Sequence, residues 1–528
     1  MYFHKSVIDK FHILKEKLHH NHFLEPYITT NEIKAALKSL KNGNSSSMDM
    51  ISNEMLKYGG SVMLKPLEKL FNFILDSGVF PRSWNESYLV LLYKSGNRLD
   101  PSNYRGISIT SNLGKLFNRI IHTRLLEFVN SMSLISENQI GFKENCRTSD
   151  HLFSVKTIID HYKSKKVYAA FIDLRKAFDT VWRLGLFYKL LESNISKKMF
   201  DILFSMYSNT VSRIKFSDGL SDIFSSECGV KQGDVLSPLL FNIFIDGIVK
   251  DLKNGKCDPV QVNDVHVNCL LYADDIVIFS ESKSGLQNSL DILNNYCSNW
   301  KLQVNIDKSK VLIFNSNGKP QGNDFTINGN IIQIVPKYCY LGVMLKCNGK
   351  FNLATNVLIE KARKACFKMK RIIGFDNPCK LLEKLFDAIV LPVLLYCSEI
   401  WGVDLSSNDI SNIEKFHIKF IKDILGVHCK TSNAGCLAEL NRLPLWSKIS
   451  FSSIKYWNHL ITSDSLACKF YKSTSNSNTW TRKIFSILDN LGFSNITKYE
   501  DSIQYLLSNI KQRIIDQCNQ EQTSKIFG

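Results

Sequence analysis

The amino-acid sequence predicts an α+β protein, in which short buried strands and amphipathic helices both occur. The clearest strand signals are the nearly all-apolar run Val167–Asp173 and the apolar runs on either side of Ala273-Asp274-Asp275. The second signal is typical of a β-hairpin over Cys269–Phe279, with the acidic residues at its tip. Helical periodicity is equally clear in Leu64–Leu75 and in an apolar stripe between Leu358 and Ile372.

Other elements follow from local signals. Thr30 is expected to cap a helix over residues 31–40, and the apolar run Tyr88–Tyr93 is expected to be a strand. After Val167–Asp173, apolar residues at helical spacing predict a helix that begins near Arg175. Ser237-Pro238 predicts a further helix start, with Ser237 as the N-cap and Pro238 in the first helical position.

Size and charge indicate the general class of protein. A chain of 528 residues is long enough for two to four domains. Its 44% apolar and 22% charged residues are typical of globular protein. The net charge of +17 and the pI of about 9.1 favour a polyanionic partner, with nucleic acid first, although a soluble basic protein would have the same balance.

Cysteine spacing and the lack of targeting signals suggest where the protein acts. The 14 cysteines are scattered singly, which argues against a zinc module or a disulfide scaffold and for a reducing compartment. The charged N-terminus does not resemble a signal peptide, and the longest apolar run, Ala388–Cys397, is shorter than a membrane span. We therefore expect a soluble, intracellular protein of the nucleus, the cytoplasm or both, with no membrane partner.

Two adjacent carboxylates at the tip of an apolar hairpin pose an electrostatic problem. Asp274 and Asp275 would repel each other and lose hydration unless a cation holds them, and hard oxygen ligands suit Mg²⁺. An ordinary turn is the alternative, because Asp favours turns. If the strand ending at Asp173 lies beside the hairpin, Asp173 and Asp274 converge as in a two-metal site for phosphoryl transfer.

Two cations and a glycine-flanked segment are candidates for nucleotide binding. Lys94 and Arg105 lie close to an apolar strand and could reach a triphosphate, although solvated surface cations are the simpler interpretation. Gly229 and Gly233 flank Lys231-Gln232, so the backbone there could approach a flat ligand or merely form a turn.

Several motifs together resemble the reverse transcriptases of non-LTR (LINE-like, jockey-type) retrotransposons. They occur in the order found in that family, from about Ile28 to Leu445, and nine motifs in order are far more specific than one. The motifs are YKSGN, PSNYRGISIT, QIGF at Gln139–Phe142, FIDLRKAFDTVW, GVKQGDVLSPLLFNIFID, LYADDIVIF, LQVNIDKSK at Leu302–Lys310, YLGV at Tyr340–Val343 and LPVLLYCSEIWG.

The resemblance implies a right-hand polymerase of fingers, palm and thumb that copies an RNA template into DNA from a DNA primer and dNTPs. It implies two Mg²⁺ ions, for which Mn²⁺ could substitute, held by Asp173, Asp274 and Asp275 with the Leu174 carbonyl. Residues that match nucleotide-binding positions of the family are Lys94, Arg105, Phe178, Gln232, Gly233 and either Lys308 or Lys310. Tyr340, Leu341 and Gly342 match the hairpin that grips the primer end.

Phe178 bears on the choice of sugar. It lies five residues after Asp173, where an aromatic ring over the nucleotide sugar would leave no room for a 2′-OH and so favour DNA synthesis. The alternative is that Phe178 is simply part of the helix core.

A basic stripe accompanies the apolar stripe of the helix expected after residue 350. Its members are Lys361, Lys364, Lys368 and Arg371. We expect a thumb helix that docks by its apolar face and contacts the template–primer backbone with its cations; a solvated helix flank is the alternative.

The expected domains are a helical extension and the start of the fingers (1–87), fingers and palm (88–345), a helical thumb (346–445) and a C-terminal helical extension of unknown role (446–528). No separate endonuclease domain, RNase H acid cluster or zinc knuckle is expected in this chain. Ser47 and Met50 replace two glycines of the family pattern, which predicts a strained loop. An inactive nucleic-acid-binding relic and an RNA-dependent RNA polymerase are the alternative functions, and the oligomeric state stays open.

Overall fold

The computed structural model describes residues 2–19, 25–315, 324–374, 377–474, 478–493 and 503–527. Helices and strands both occur within residues 86–346, and the elements described after residue 346 are helices, so the predicted α+β class is confirmed. No helix within the described ranges has the length and apolarity that crossing a membrane requires.

The strands are β1 Glu86–Tyr93, β2 Tyr104–Ile109, β3 Val167–Ile172, β4 Val211–Ile214, β5 Phe224–Ser225, β6 Val260–Val262, β7 Val265–Val267, β8 Cys269–Tyr272, β9 Asp275–Ser280, β10 Lys310–Phe314, β11 Phe325–Ile327, β12 Asn330–Ile332, β13 Lys337–Tyr340 and β14 Val343–Lys346.

The helices are α1 Tyr2–Glu16, α2 Thr30–Ser39, α3 Asn53–Tyr58, α4 Leu64–Ser77, α5 Arg82–Asn85, α6 Asn112–Ser131, α7 Thr148–His161, α8 Arg183–Glu192, α9 Lys197–Tyr207, α10 Ser237–Ile245, α11 Gly247–Asn254, α12 Lys283–Asn299, α13 Asn352–Ile373, α14 Cys379–Leu385, α15 Leu391–Leu394, α16 Ser398–Trp401, α17 Ser407–Leu425, α18 Asn433–Glu439, α19 Leu445–Thr462, α20 Leu466–Thr474, α21 Thr479–Asn490 and α22 Ile503–Phe527.

The central sheet has the order β10-β3-β9-β8, and its neighbouring strands are antiparallel. Ala170 and Ile172 of β3 belong to a core formed mainly with the N-terminal half of the chain. Ala169 and Phe171 of the same strand belong to a second core, formed mainly with the helices after residue 350. Because both faces of the sheet are covered, its strands are almost continuously apolar rather than alternating.

A second sheet has the order β2-β1-β4-β5. The strand predicted at Tyr88–Tyr93 is confirmed within β1, which pairs antiparallel with β2. The register places Leu92 opposite Arg105, and the Lys94 amide donates to the Asn103 carbonyl at 2.9 Å. The β1–β2 connection therefore brings Lys94 and Arg105 to the same end of one hairpin.

Two predicted helix starts are displaced. The capping residue of α2 is Thr29 rather than Thr30, with Thr29 and Glu32 forming a capping box. The helix expected near Arg175 begins at Arg183 instead. Residues between Asp173 and the helix form turns, and Lys176 has a φ of +44°, which a right-handed helix cannot contain.

The C-terminal residues are integral to the second core. Trp457 and Trp480 are fully buried in it. The Tyr456 hydroxyl donates to Asp150 at 2.9 Å, and the Trp480 indole donates to the Glu399 carbonyl at 3.0 Å. Helices α19 and α21 thus join α7 and α16 in a single packed unit.

Candidate active site

The hairpin of β8 and β9 carries Asp274 and Asp275 at its tip, as predicted. Tyr272 pairs with Asp275, so Ala273 and Asp274 are the two-residue loop. Ala273 has a φ of +56°, a left-handed conformation that costs a residue with a Cβ about 1–2 kcal/mol. The tip is therefore a strained turn that surrounding contacts must hold.

Asp173 comes directly after β3, whose last residue Ile172 pairs with Ile276 next to the hairpin tip. Its backbone is fixed on both sides: the Asp173 amide donates to Ser309 Oγ at 3.1 Å, and its carbonyl accepts from the Asn305 amide at 2.8 Å. Asp173 and Asp274 line the same cavity, of about 570 Å³. Strand pairing thus brings together two carboxylates that are 101 positions apart in the sequence.

The three carboxylates interact electrostatically. Burial, followed by the charges of Asp274 and Asp173, raises the pKa of Asp275 to about 6. Burial also raises the pKa of Asp274, and Asp173 adds to that shift while Arg105 and Lys94 oppose it. A divalent cation would relieve this repulsion, and carboxylate oxygens are ligands that Mg²⁺ accepts. Within the described ranges, no three His, Cys, Asp or Glu side chains are already closed into a metal-binding group.

Most predicted nucleotide-site residues line this cavity. The lining includes Lys94, Arg105, Asp173, Leu174, Phe178, Gln232, Asp274 and Lys308. Gly233 lines an adjoining cavity of about 500 Å³, which shares Arg105, Phe178, Gln232 and Asp274 with the first. The cavity lining combines carboxylates with cations, which are the groups needed to hold a metal and a polyphosphate together.

A chain of hydrogen bonds connects Arg105, Gln232 and Asp179 across the cavity. Arg105 Nε donates to Gln232 Oε1, and Gln232 Nε2 donates to Asp179 Oδ1, both at 2.7 Å. The Gln232 carbonyl also accepts from the Ser108 amide of β2 at 2.8 Å. The side chain and backbone of Gln232 are therefore both fixed relative to Arg105. Asp179 was missed by sequence reasoning, although the second carboxylate of FIDLRKAFD was the available signal.

The glycine-flanked segment packs closely on the turn after β3. Gly229 has a φ of +80°, and a Cβ there would lie 2.6 Å from the Asp179 carbonyl oxygen. The predicted N-cap role of Ser237 is wrong: Ser237 is inside α10, and its hydroxyl donates to the Lys231 carbonyl at 2.6 Å. Asp234 instead accepts from the Leu236 amide at 2.9 Å, so the loop before α10 is closed by its own side chains.

Phe178 is both a core residue and a wall of the cavity. Its ring is 7% exposed and stacks on Phe241 with the ring centroids 4.4 Å apart. Phe142 meets it edge-on at 6.2 Å. The two interpretations of Phe178 are therefore compatible, because packing on Phe241 fixes a ring that also faces the cavity.

The two candidate lysines lie in different surroundings. Lys308 lines the cavity together with Asp307. Lys310 opens β10, and its Nζ donates to the Asp307 carbonyl at 2.6 Å. Of the two, Lys308 is the one whose side chain borders the cavity.

The hairpin of β13 and β14 shares a cavity with Asp275. Tyr340, Leu341 and Gly342 line a small cavity of about 150 Å³ together with Asp275. Tyr340 is buried, and its hydroxyl is 3.3 Å from His151 Nδ1. The tip of this hairpin therefore lies next to the carboxylates.

The basic stripe lies on α13 and is exposed along its whole length. Lys361, Lys364, Lys368 and Arg371 are all exposed, and Phe367 among them is 68% exposed. Leu358, Ala362 and Met369 are buried as expected, but Ile372 is 70% exposed, so the apolar stripe ends one turn earlier than predicted. The four cations do not line the two larger cavities described above.

Comparisons with known proteins show which proteins the chain is similar to. Residues 93–345 match the family model described as reverse transcriptase (RNA-dependent DNA polymerase). The chain is 27% identical over 456 residues to the RNA-directed DNA polymerase from mobile element jockey of Drosophila melanogaster, covering 84% of this chain and 49% of that protein.

Two further relatives from Drosophila melanogaster are similar. The probable RNA-directed DNA polymerase from transposon BS is 27% identical over 398 residues, which cover 72% of this chain and 43% of that protein. The retrovirus-related Pol polyprotein from type-2 retrotransposable element R2DM is 29% identical over 284 residues, covering 53% of this chain and 26% of that protein. The chain spans about half the length of the jockey polymerases it matches.

Proposed function

We propose that this chain, whose residues 93–345 belong to the reverse transcriptase family, is an RNA-directed DNA polymerase of a non-LTR retrotransposon. It would transfer nucleotides from dNTPs to the 3′-OH of a DNA primer on an RNA template. One observation carries the proposal: a single cavity is lined by Asp173, Asp274, Lys94, Arg105 and Lys308, which are far apart in the sequence. These are the charges that nucleotidyl transfer needs.

The acidic residues of the site would bind the metal ions. Asp173, Asp274 and Asp275, with the Leu174 carbonyl, would hold two Mg²⁺ ions, and Mn²⁺ is the expected substitute. When bound, the ions supply activation of the primer hydroxyl and neutralisation of the leaving pyrophosphate. Asp274 is the principal ligand in this proposal, because it lines the cavity with Asp173.

The cations and the loop before α10 orient the nucleotide. Lys94 contributes a point charge and Arg105 a two-pronged donor for the triphosphate, and Gln232 fixes the direction of Arg105. Gln232 and Gly233 form the surface under the incoming nucleotide. Lys308, rather than Lys310, would donate a proton to the pyrophosphate oxygen as it leaves, because it borders the cavity.

Phe178 would select the sugar. A ring fixed by stacking on Phe241 resists displacement, so a ribose 2′-OH would have to clash with it. Phe178→Val should raise rNTP use relative to dNTP use by about tenfold or more, on the scale of a 1.4 kcal/mol discrimination. The ratio of the two kcat/KM values is an internal control for partial unfolding. An unchanged ratio would reject this role.

The proposed architecture is a right hand. Residues 1–87 would form a helical extension and begin the fingers, 88–345 complete the fingers and form the palm, 346–445 form the thumb, and 446–528 form a C-terminal extension whose role stays open. Helix α13 would be the thumb element that follows the template–primer duplex, because its four cations are exposed beside a buried apolar face. We propose that the protein acts inside the cell, in the nucleus, the cytoplasm or both.

Salt dependence tests the α13 proposal. Replacing Lys361, Lys364, Lys368 and Arg371 with Ala should weaken duplex binding and lower the slope of log K against log salt by up to about 3–4. A matched control removes the same charge from exposed residues of α1 and α2, namely Lys5, Lys10, Lys34 and Lys38. Equal slopes for the two variants would mean that α13 is only a solvated helix.

Primer extension tests the activity itself. The wild-type chain should extend oligo(dT) on poly(rA) with dTTP and Mg²⁺, and Asp274→Asn should not. Product at the level of that variant would indicate an inactive relic. Faster extension with UTP than with dTTP would indicate an RNA-dependent RNA polymerase.

A further inference from the structure

The segment Asn138–Gly141 lies along the free edge of β8, next to the carboxylate tip. The Leu271 amide donates to the Asn138 carbonyl at 2.9 Å, and the Ile140 amide donates to the Leu271 carbonyl at 3.0 Å. Gln139 and Leu271 therefore form a parallel bridge, which extends the central sheet by one short segment. This places the Gln139 side chain at the turn that follows β8.

Gln139 is fully buried, and its side-chain amide binds both backbone groups of one residue. Gln139 Oε1 accepts from the Ala273 amide at 2.9 Å, and Gln139 Nε2 donates to the Ala273 carbonyl at 3.2 Å. The same Oε1 also accepts from the Gly141 amide at 2.9 Å. Ala273 is the residue with a φ of +56°, so the amide is bonded directly to the strained position.

Gly141 shows how closely this segment approaches the turn. A Cβ at Gly141 would lie 2.1 Å from the Ala273 nitrogen, which leaves no room for any other residue type. The Gly141 carbonyl accepts from Asn242 Nδ2 of α10 at 2.7 Å. The segment is thus anchored on a buried helix while it contacts the turn, and it cannot move away independently.

We infer that Gln139 is a positioning residue that holds Ala273 in its left-handed conformation and thereby sets where Asp274 points. Without the three hydrogen bonds, Ala273 would relax toward a negative φ, and Asp274, the next residue, would turn away from Asp173. The inference rests on the proposed polymerase function for its catalytic consequence, but not for its structural one.

A double-mutant cycle separates positioning from general stability. Gln139→Met keeps the side-chain length but removes all three hydrogen bonds, and Ala273→Gly removes the need to hold a Cβ at positive φ. Gln139→Met should lower kcat for primer extension by about 100-fold, as expected for a misplaced reacting group, with the KM for dNTP changed less than about threefold. In the Ala273→Gly background, the same substitution should cost at least about tenfold less in kcat.

Asn138→Ala is the matched control. Asn138 is also buried, on the same segment, and its side chain donates to the Cys269 carbonyl at 2.8 Å rather than to the turn. It should lower the melting temperature without a comparable loss of kcat. Equal losses of kcat from Gln139→Met in both backgrounds, or an equal loss in Asn138→Ala, would overturn the inference.

Hydrogen exchange gives a readout that needs no activity. The peptide spanning residues 271–276 should exchange its amides faster in Gln139→Met than in Asn138→Ala or wild type, and unchanged exchange would overturn the inference. If wild type makes no product, the proposed function fails while the exchange result still decides the role of Gln139. If Gln139→Met does not fold, Gln139→Leu replaces it, since an aliphatic side chain also forms none of the three hydrogen bonds.

Discussion

The hairpin tips at the candidate site differ from a hairpin tip elsewhere in the same molecule. Between β11 and β12 the tip is Asn328-Gly329, with φ values of +49° and +74°. Asn and Gly are the residues that tolerate this conformation best. At the site, the corresponding first positions are Ala273 and Leu341, with φ values of +56° and +44°, and neither residue type favours them.

The difference shows where the turn geometry comes from. Asn328-Gly329 can form its turn from local preference alone. Ala273 is bonded to the buried Gln139, and the Leu341 carbonyl accepts from the Tyr396 hydroxyl at 3.1 Å. Strain of this kind is held by surrounding structure and is concentrated at functional positions. The tips near the carboxylates therefore depend on tertiary contacts that the outer tip does not require.

The largest expected effect is the loss of primer extension when Asp274 is replaced. Asp274→Asn should reduce primer extension by at least about 10³-fold, because it removes one of the charges that would hold the metal ions in place. Asp275→Asn should cost less, since Asp275 does not line the larger cavity. Both variants should keep the wild-type melting temperature or exceed it, because the repulsion between the two carboxylates is relieved. A greater loss for Asp275→Asn would reverse the assignment.

Gly342→Ala tests how tightly the second site tip is enclosed. Gly342 has a φ of +83°, and a Cβ there would lie 3.0 Å from the Tyr396 ring, whereas Gly329 has open space around the same position. We expect Gly329→Ala to destabilise the fold by about 1 kcal/mol, because of its positive φ alone. Gly342→Ala should destabilise it by about 2 kcal/mol, because the contact with the Tyr396 ring adds to the cost of the positive φ. Thermal unfolding of the two variants measures the difference. Equal shifts would mean that the Tyr396 contact is unimportant.

Met50 offers a strained position away from the two site hairpins. It has a φ of +54° and is 72% exposed, so the strain expected for the replaced glycine is present at Met50, while Ser47 is buried and has an ordinary φ. Met50→Gly should stabilise the fold by about 0.5–1 kcal/mol. Met50→Ala is the control: it removes the same side chain but keeps the Cβ, and should not stabilise. If both variants are stabilised equally, the destabilisation comes from the exposed methionine side chain and not from the positive φ.

A small effect is also expected from the Tyr396 hydroxyl, which donates to the Leu341 carbonyl. Tyr396→Phe removes its hydrogen bond to the Leu341 carbonyl and should cost about 1 kcal/mol, with a modest loss of primer extension. Tyr162→Phe is the comparison, because its hydroxyl also donates to a backbone carbonyl, that of Gln261 at 2.8 Å, which is not part of the tip. A similar loss of extension in both variants would show that the contact does not position the hairpin.

Strands and helices with a strong local signal could be predicted from the sequence. The run Val167–Asp173 is apolar at nearly every position because β3 is covered on both faces, and α13 repeats its apolar residues with the helical period. Local sequence patterns predicted the first and last residues of helices less accurately. Arg183, not Arg175, begins α8, because Lys176 adopts a φ of +44° beside Arg175, whose amide donates to the distant Gln303 carbonyl.

The sequence by itself determined which chemical groups are present: the carboxylates, the cations and the apolar strands that carry them. Only the tertiary structure decided which of those groups meet. It set Lys308 rather than Lys310 at the cavity, joined Asp179 to Gln232, and brought Gln139 to Ala273. The physical reason is that strand periodicity and turn preference act over a few residues, whereas these side-chain hydrogen bonds connect residues 53 to 134 positions apart, which no local pattern encodes.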